Sequence, residues 1–225
     1  AVKHAQICQF TIGDGADDRF AQQLIKRLGM RDAVSIETKR HTASGDVKRV
    51  TEEMPVVQSK LVMGFAIGTT PEERLAAKLM SVVLGGTPSS KLFMNVREKL
   101  SLCYYASSAY HRRKGLVTVS AGIRAGDYQR ALDEILAQLD AMGRGDWTDR
   151  ELDDARRALL SGLRSMEDDP GSLEDFAVGR AAGGSDETVA GLMTALEAVT
   201  AQDVQEAARA LRLDTIYFLK GEDTP

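Results

Sequence analysis

The feature that most constrains the fold is a pair of neighbouring segments, residues 103–110 and 116–123, spaced as a β-hairpin. In the second segment, polar or small residues at 118, 120 and 122 alternate with apolar ones: Val117, Val119, Ala121 and Ile123. Successive side chains of a strand point to opposite faces of its sheet. This pattern therefore predicts an antiparallel hairpin with one buried face and one open face.

The other strand-like segments lie towards the two ends of the chain, and helical periodicity fills the middle. Residues 4–12, 60–67 and 213–219 have strand character. The sequences that begin at Thr70 and Thr148 have the Thr-x-x-Glu form of a helix capping box. Ser89 is expected to cap a further short helix. This order predicts an α+β fold with an antiparallel sheet of about five strands and helices packed on one face.

We interpret the whole chain, residues 1–225, as a single domain. Its predicted parts are an opening strand and helix, a polar loop, a block of strand, helices and hairpin, a helical run, and a last strand with a tail. These parts cover residues 1–36, 37–59, 60–126, 127–212 and 213–225.

Composition disfavours two classes of function. The formal net charge is -4, whereas a nucleic-acid-binding domain usually carries a basic surplus. No segment approaches the ~18 apolar residues of a membrane span. The two cysteines, Cys8 and Cys103, are interpreted as buried free thiols, which suits a reducing compartment. We therefore expect a cytoplasmic protein that binds neither nucleic acid nor membrane.

No motif in the chain supplies self-contained catalytic chemistry. The three histidines, His4, His41 and His111, are scattered, and none has the HxxEH, HxxxH or HxH spacing of a metal site. The motifs of serine hydrolases, phosphate-binding loops and dinucleotide-binding folds are absent from the sequence as well. We therefore expect no metal site and no hydrolysis by this chain alone.

The segment LGGTPSSKLFMNVREKLSLCYYASS, residues 84–108, resembles the C-terminal type of domain in M16 metallopeptidases, the pitrilysin, insulinase and mitochondrial processing peptidase group. In that family a helix ending in Arg leads, seven residues on, to a Tyr at the start of a strand; here these are Arg97 and Tyr104. The resemblance spans roughly residues 1–220 and is most specific over 85–108. It is closest to a bacterial branch that works as two paired subunits, one of them without a zinc motif.

The resemblance implies a LuxS/MPP-like metallohydrolase fold and a zinc-free domain that forms one wall of a proteolytic chamber. Arg97 and Tyr104 would bind peptide substrate near the scissile carbonyl, and zinc would be held by a partner domain or subunit. No cofactor is expected on this chain itself. The isolated domain is expected to form a homodimer or to leave an apolar surface exposed.

Other interpretations stay open on the residues alone. Arg97 also suits the negative end of a helix dipole, and Tyr104 also suits a sheet surface. The chain could be a catalytically inactive scaffold or peptide-binding subunit of an M16-like assembly. An unrelated α+β ligand-binding module is the third class.

Overall fold

The computed structural model describes residues 10, 19–28, 41–43, 45–70, 73–183 and 185–222. The chain divides into two units: Ala1–Thr38 with Ser161–Leu192, and Lys39–Leu160 with Met193–Pro225. The strand expected over residues 4–12 lies outside the described residues except for Phe10. The single domain over residues 1–225 stays a prediction.

The regular elements follow the order expected from the sequence, except that the first strand lies within the segment 37–59, which the sequence predicts as a polar loop. The strands are β1 (Lys48–Glu53), β2 (Ser59–Ala66), β3 (Cys103–His111), β4 (Leu116–Ile123) and β5 (Arg212–Lys220). The α-helices are α1 (Arg19–Leu28), α2 (Arg74–Gly85), α3 (Tyr128–Arg144), α4 (Asp149–Glu167), α5 (Pro170–Gly183), α6 (Val189–Ala198) and α7 (Ala201–Arg209). A π-helix (Leu92–Lys99) precedes β3, and a 3₁₀ turn (Ala125–Asp127) follows β4.

The five strands form one sheet in the order β1-β5-β2-β4-β3. Neighbouring strands are antiparallel except at one edge, where β1 and β5 run parallel. The last strand of the chain returns after the helices and lies between the first two. The α+β prediction is confirmed, with a mixed sheet in place of a purely antiparallel one.

One face of the sheet packs against helices and forms the core of the larger unit. Contacts join β3 to α2 and to the π-helix, and join α7 to α2 and α3. The buried side chains on the inner face of the strands include Leu61, Met63, Val117, Val119 and Ile216. Each such side chain contributes about 1.5–3 kcal/mol on burial, so this face holds the sheet and helices together.

The two capping boxes that the sequence indicated form hydrogen bonds in the structure. The Thr70 backbone N–H donates to Glu73 Oε2 (2.8 Å), and the Glu73 N–H donates to Thr70 Oγ1 (3.4 Å). Thr148 and Glu151 exchange the same two bonds at 2.7 and 3.2 Å. Both pairs form the reciprocal bonds of a capping box. The Thr148 box lies directly before α4 and stabilises that helix by about 1 kcal/mol, whereas α2 begins later than its box predicted, at Arg74 with Glu73 at its N-cap.

The short helix expected after Ser89 differs from the prediction. It is a π-helix that follows Lys91, and the Ser89 hydroxyl instead lies 3.1 Å from Thr87 Oγ1. Tertiary contacts hold this segment: buried Lys91 Nζ lies 3.4 Å from Glu151 Oε1, and Asn95 Nδ2 donates to Gln138 Oε1 at 2.9 Å. Such long-range partners override the local capping preference.

No helix within the described ranges is long and apolar enough to cross a membrane. The cytoplasmic location stays a prediction.

Candidate functional site

Three backbone irregularities occur in succession between the π-helix and the start of β3. The helix itself has the wider π geometry over Leu92–Lys99. Ser101 has a left-handed φ of 51°, which is unusual for a residue other than glycine. The β3–β4 register then shifts between Cys103 and Tyr105, so Tyr104 has no partner on β4 and forms a bulge. Such irregularities concentrate at functional sites. Of the two predicted site residues, Arg97 lies within the first irregularity and Tyr104 forms the third.

Arg97 lies in the π-helix with its side chain 40% exposed. Its Cζ is 4.5 Å from the centroid of the Phe93 ring, and its Nε is 3.6 Å from Glu98 Oε1. The Arg97 carbonyl accepts a hydrogen bond from the Ser101 N–H at 3.0 Å, which fixes the turn towards β3. Stacking on an aromatic face is worth about 0.5–1 kcal/mol at an exposed site, so the guanidinium is oriented but reachable.

Tyr104 is 61% exposed at the bulge. Its hydroxyl has no hydrogen-bond partner among the described residues, in contrast to that of the next residue. The Tyr105 hydroxyl lies 3.3 Å from Ser120 Oγ, and its ring covers Gly122, where an added Cβ would lie 2.5 Å from Tyr105 Cε1. Tyr105 is therefore part of the sheet surface, whereas Tyr104 offers a free phenolic donor.

Cys103 lies between the two predicted site residues in the chain and is buried. Burial raises the pKa of its thiol to about 11, and the nearby charge of Arg97 partly offsets that rise. A thiol with this pKa is neutral at physiological pH and is a poor nucleophile.

A groove of about 450 Å³ lies beside Tyr104. Its lining residues are Val57, Ser59, Tyr104, Arg124, Ala125, Gly126, Asp127 and Glu222. Arg124 Nε donates to Asp127 Oδ2 at 2.6 Å, and Arg130 donates to the other Asp127 oxygen at 3.3 Å. The sequence analysis did not identify Arg124, whose guanidinium is held in place by Asp127. The signal that could have identified it is the Arg-x-x-Asp spacing directly after the predicted strand 116–123.

The face of the sheet opposite the helices is lined by small and polar residues on the central strands. Partly accessible positions there include Val62, Gly64, Thr118, Ser120, Thr215 and Tyr217. Tyr217 donates a hydrogen bond to Glu52 Oε2 at 2.8 Å, and this bond raises the pKa of the tyrosine. The open face therefore combines short side chains with the larger rings of Tyr105 and Tyr217.

Among the described residues, no three histidine, cysteine or acidic side chains are grouped as metal ligands. His41 Nε2 lies 3.1 Å from Asp214 Oδ1, and His111 Nε2 lies 3.0 Å from Thr118 Oγ1. His4 and Cys8 lie outside the described residues. The described side chains do not fit a zinc centre.

Comparison with known proteins identifies the family. The family described as "Peptidase M16 inactive domain" matches residues 11–159. A Bacillus subtilis protein named "Probable inactive metalloprotease YmfF" is 30% identical over 232 residues, covering 99% of this chain and 53% of that protein. The "uncharacterized zinc protease YmxG" of the same organism is 24% identical, covering 89% of this chain and 50% of its own length. The chain thus spans about half the length of the curated relatives it matches.

Solved structures agree with this assignment. A conserved protein from Enterococcus faecalis V583 superposes with a TM-score of 0.84 at 27% identity, covering 93% of this chain and 51% of its own. A peptidase M16 inactive domain from Pseudomonas fluorescens superposes with a TM-score of 0.74 at 20% identity, covering 91% of this chain and 51% of its own. At 20% identity, the Pseudomonas fluorescens structure supports only the shared fold. The resemblance inferred from residues 84–108 is confirmed: this chain belongs to the M16 peptidase family and carries its inactive domain.

Proposed function

We propose that this chain is the zinc-free half of an M16-type peptidase and that it binds peptide substrate through Arg97 and Tyr104. The single observation that carries the proposal is the free, exposed Tyr104 hydroxyl at a β-bulge, directly after the segment that orients Arg97. A bulge interrupts pairing and redirects a side chain, and an unpaired donor on the surface is available to a ligand.

The two side chains supply complementary chemistry. A phenolic hydroxyl can donate to the oxyanion that develops on the scissile carbonyl of a peptide. The Arg97 guanidinium, held against Phe93, presents a permanently charged planar set of donors to the neighbouring peptide carbonyls. Both groups act by binding, and neither can activate water.

The hydrolytic step therefore belongs to another domain or subunit. A zinc-bearing M16 half would supply a Lewis acid and a metal-activated water. The open face of the sheet would form the wall against which an extended peptide lies. The length of the relatives supports a second half, because this chain covers 53% of one of them and 50% of another.

The test measures peptide cleavage by the chain assembled with its zinc-bearing half. Tyr104→Phe should lower kcat by about 10²–10³ because one oxyanion donor is lost. Tyr105→Phe is the matched control, since it removes a neighbouring hydroxyl that already bonds Ser120. Arg97→Ala should lower kcat/KM, whereas Arg150→Ala, an exposed arginine on α4, should not.

A second candidate is a catalytically inactive scaffold or peptide-binding subunit. The relative named as a probable inactive metalloprotease favours it. In that case Tyr104→Phe leaves any cleavage by the assembly unchanged, while peptide binding or assembly still depends on this chain. Unchanged cleavage in both Tyr104→Phe and Arg97→Ala would refute the catalytic-support role.

A further inference from the structure

Strand β1 forms an edge of the sheet and is exposed along almost its whole length. Only Val50 is partly covered, and the other five residues are exposed. It pairs with β5 on one side, and no described strand pairs with its other side. An edge of this kind presents a row of backbone donors and acceptors to any strand that reaches it.

The charges on this strand are separated by sign. The sequence from residue 48 to 53 reads KRVTEE, with two cations at one end and two carboxylates at the other. Neither Lys48 nor Arg49 has an ion-pair partner among the described residues. Glu52 accepts from Tyr217 and Glu53 Oε1 lies 2.8 Å from Lys220 Nζ, so each carboxylate has its second oxygen free. A strand with this pattern complements an antiparallel copy of itself.

Backbone geometry selects the pairing register. The Met54 N–H bonds the Lys220 carbonyl of β5, so the even-numbered residues of β1 direct their backbone groups inwards. Arg49, Thr51 and Glu53 therefore direct theirs to the open edge. Two copies related by a two-fold axis must pair residues that lie on the same face of the sheet. The axis therefore passes midway between the two copies of one residue, either Val50 or Thr51.

The register centred on Val50 satisfies the side chains better. It places Val50 against Val50 of the second copy and Lys48 against Glu52 of the second copy, both in close, non-hydrogen-bonded pairs. The register centred on Thr51 would also pair opposite charges, Arg49 against Glu53 of the second copy, but it would place Val50 against the Glu52 carboxylate and Lys48 against Met54. Both registers gain an ion pair, and only the register centred on Val50 also pairs apolar side chains across the ladder.

We propose that a second copy of this chain docks on β1 in antiparallel register centred on Val50. The two sheets then join into one, with their open faces on the same side. Charges on an edge strand often prevent pairing. Here the cations lie at one end of the strand and the anions at the other, so the edge disfavours most other strands but is complementary to an antiparallel copy of itself. The occupant is therefore a copy of the chain, and its affinity should fall with added salt.

Charge exchange tests the interface by sedimentation of the intact chain. Lys48→Glu with Arg49→Glu should weaken the dimer at least tenfold, and so should Glu52→Lys with Glu53→Lys. Mixing the two variants in equal amounts should restore a dimer, because position 48 of each copy then again faces an opposite charge at position 52 of the other. Rescue on mixing also excludes misfolding as the cause of the loss.

A matched control changes the same amount of charge elsewhere: Arg112→Glu with Arg113→Glu, at the turn between β3 and β4. This variant should retain the dimer of the parent chain. A parent chain that stays monomeric at ~100 μM in low salt would refute the proposal, as would a dimer insensitive to both edge variants.

Disulfide trapping tests the register independently of affinity. Non-hydrogen-bonded antiparallel pairs have Cα atoms about 4.5 Å apart, within disulfide range. Val50→Cys should therefore form a covalent dimer under mild oxidation, and Thr51→Cys should not, because its counterpart lies two residues along. The parent chain serves as the control for Cys8 and Cys103. Crosslinking through Thr51→Cys alone would overturn the register. These outcomes are independent of peptide cleavage.

Discussion

Gly85, the last residue of α2, allows the helix to approach β3 at a distance that no side chain would permit. A Cβ built at this position would lie 2.6 Å from Ser108 N, 3.0 Å from Ser107 C and 2.9 Å from Leu92 Cδ1. Two of these three atoms belong to the β3 backbone and cannot rotate away. We therefore expect Gly85→Ala to force α2 and β3 apart.

The magnitude follows from two opposing effects. Alanine is favoured over glycine within a helix by up to about 1 kcal/mol. Insertion of a methyl group into a packed contact costs about 1–3 kcal/mol, and more when backbone must shift. The net expectation for Gly85→Ala is a loss of about 1–2 kcal/mol. In a chain of this size that loss corresponds to a fall in Tm of roughly 2–8 °C.

Gly143 provides the matched control, because it too lies in the last turn of a helix. A Cβ there would meet only Arg209 Cγ, at an ordinary 3.8 Å. Gly143→Ala should therefore raise stability by up to about 1 kcal/mol. Thermal or urea unfolding of both variants distinguishes the two effects. If Gly85→Ala proved as stable as the parent while Gly143→Ala gained stability, the close approach of α2 to β3 would be refuted.

Two further predictions concern ionisable groups. Glu151→Ala should lower the free energy of unfolding, measured in urea, by about 2–4 kcal/mol, because it removes a helix cap and leaves buried Lys91 unpaired. The control is Asp203→Ala, which removes an exposed capping box alone and should lower the free energy of unfolding by about 1 kcal/mol. Equal losses in the two variants would contradict the role of Lys91. Because burial raises the pKa of Cys103 to about 11, its contribution to stability is present below about pH 9 and is lost as pH rises towards 11. In Cys103→Ala the free energy of unfolding should no longer show this decrease when it is measured across pH 8–11. In the native protein, Cys103 should react slowly with thiol reagents at pH 8.

The parts of the fold that the sequence predicted are those fixed by local rules. The alternation in β4 predicted its buried face because a half-buried strand has a period of two. Thr70 and Thr148 predicted helix starts because a capping box is satisfied within four residues. In contrast, β1 has no periodicity, since its residues are almost all exposed. It is a strand because β5, some 160 residues later in the chain, supplies its partner.

The candidate site was found through resemblance and not through pattern. Nothing in the local sequence indicates that residues 92–99 form a π-helix, since the apolar spacing of Leu92 and Val96 suits an ordinary α-helix equally well. The groove beside Tyr104 joins residues from the β1–β2 connection, β3, the 3₁₀ turn and the chain end. Such convergence depends on tertiary structure, so Arg124 could not be assigned to it beforehand.

The bulge at Tyr104 is not required by the hairpin. The ladder is regular on the far side, from Tyr105 opposite Gly122 to His111 opposite Leu116, and Cys103 pairs Ile123 on the near side. A strand without the extra residue could form the same pairs continuously. The added residue instead gives up pairing and leaves a tyrosine exposed with its hydroxyl unbonded. We therefore attribute the bulge to the proposed binding role of Tyr104, because a ligand that needs a hydrogen-bond donor would find one at that point.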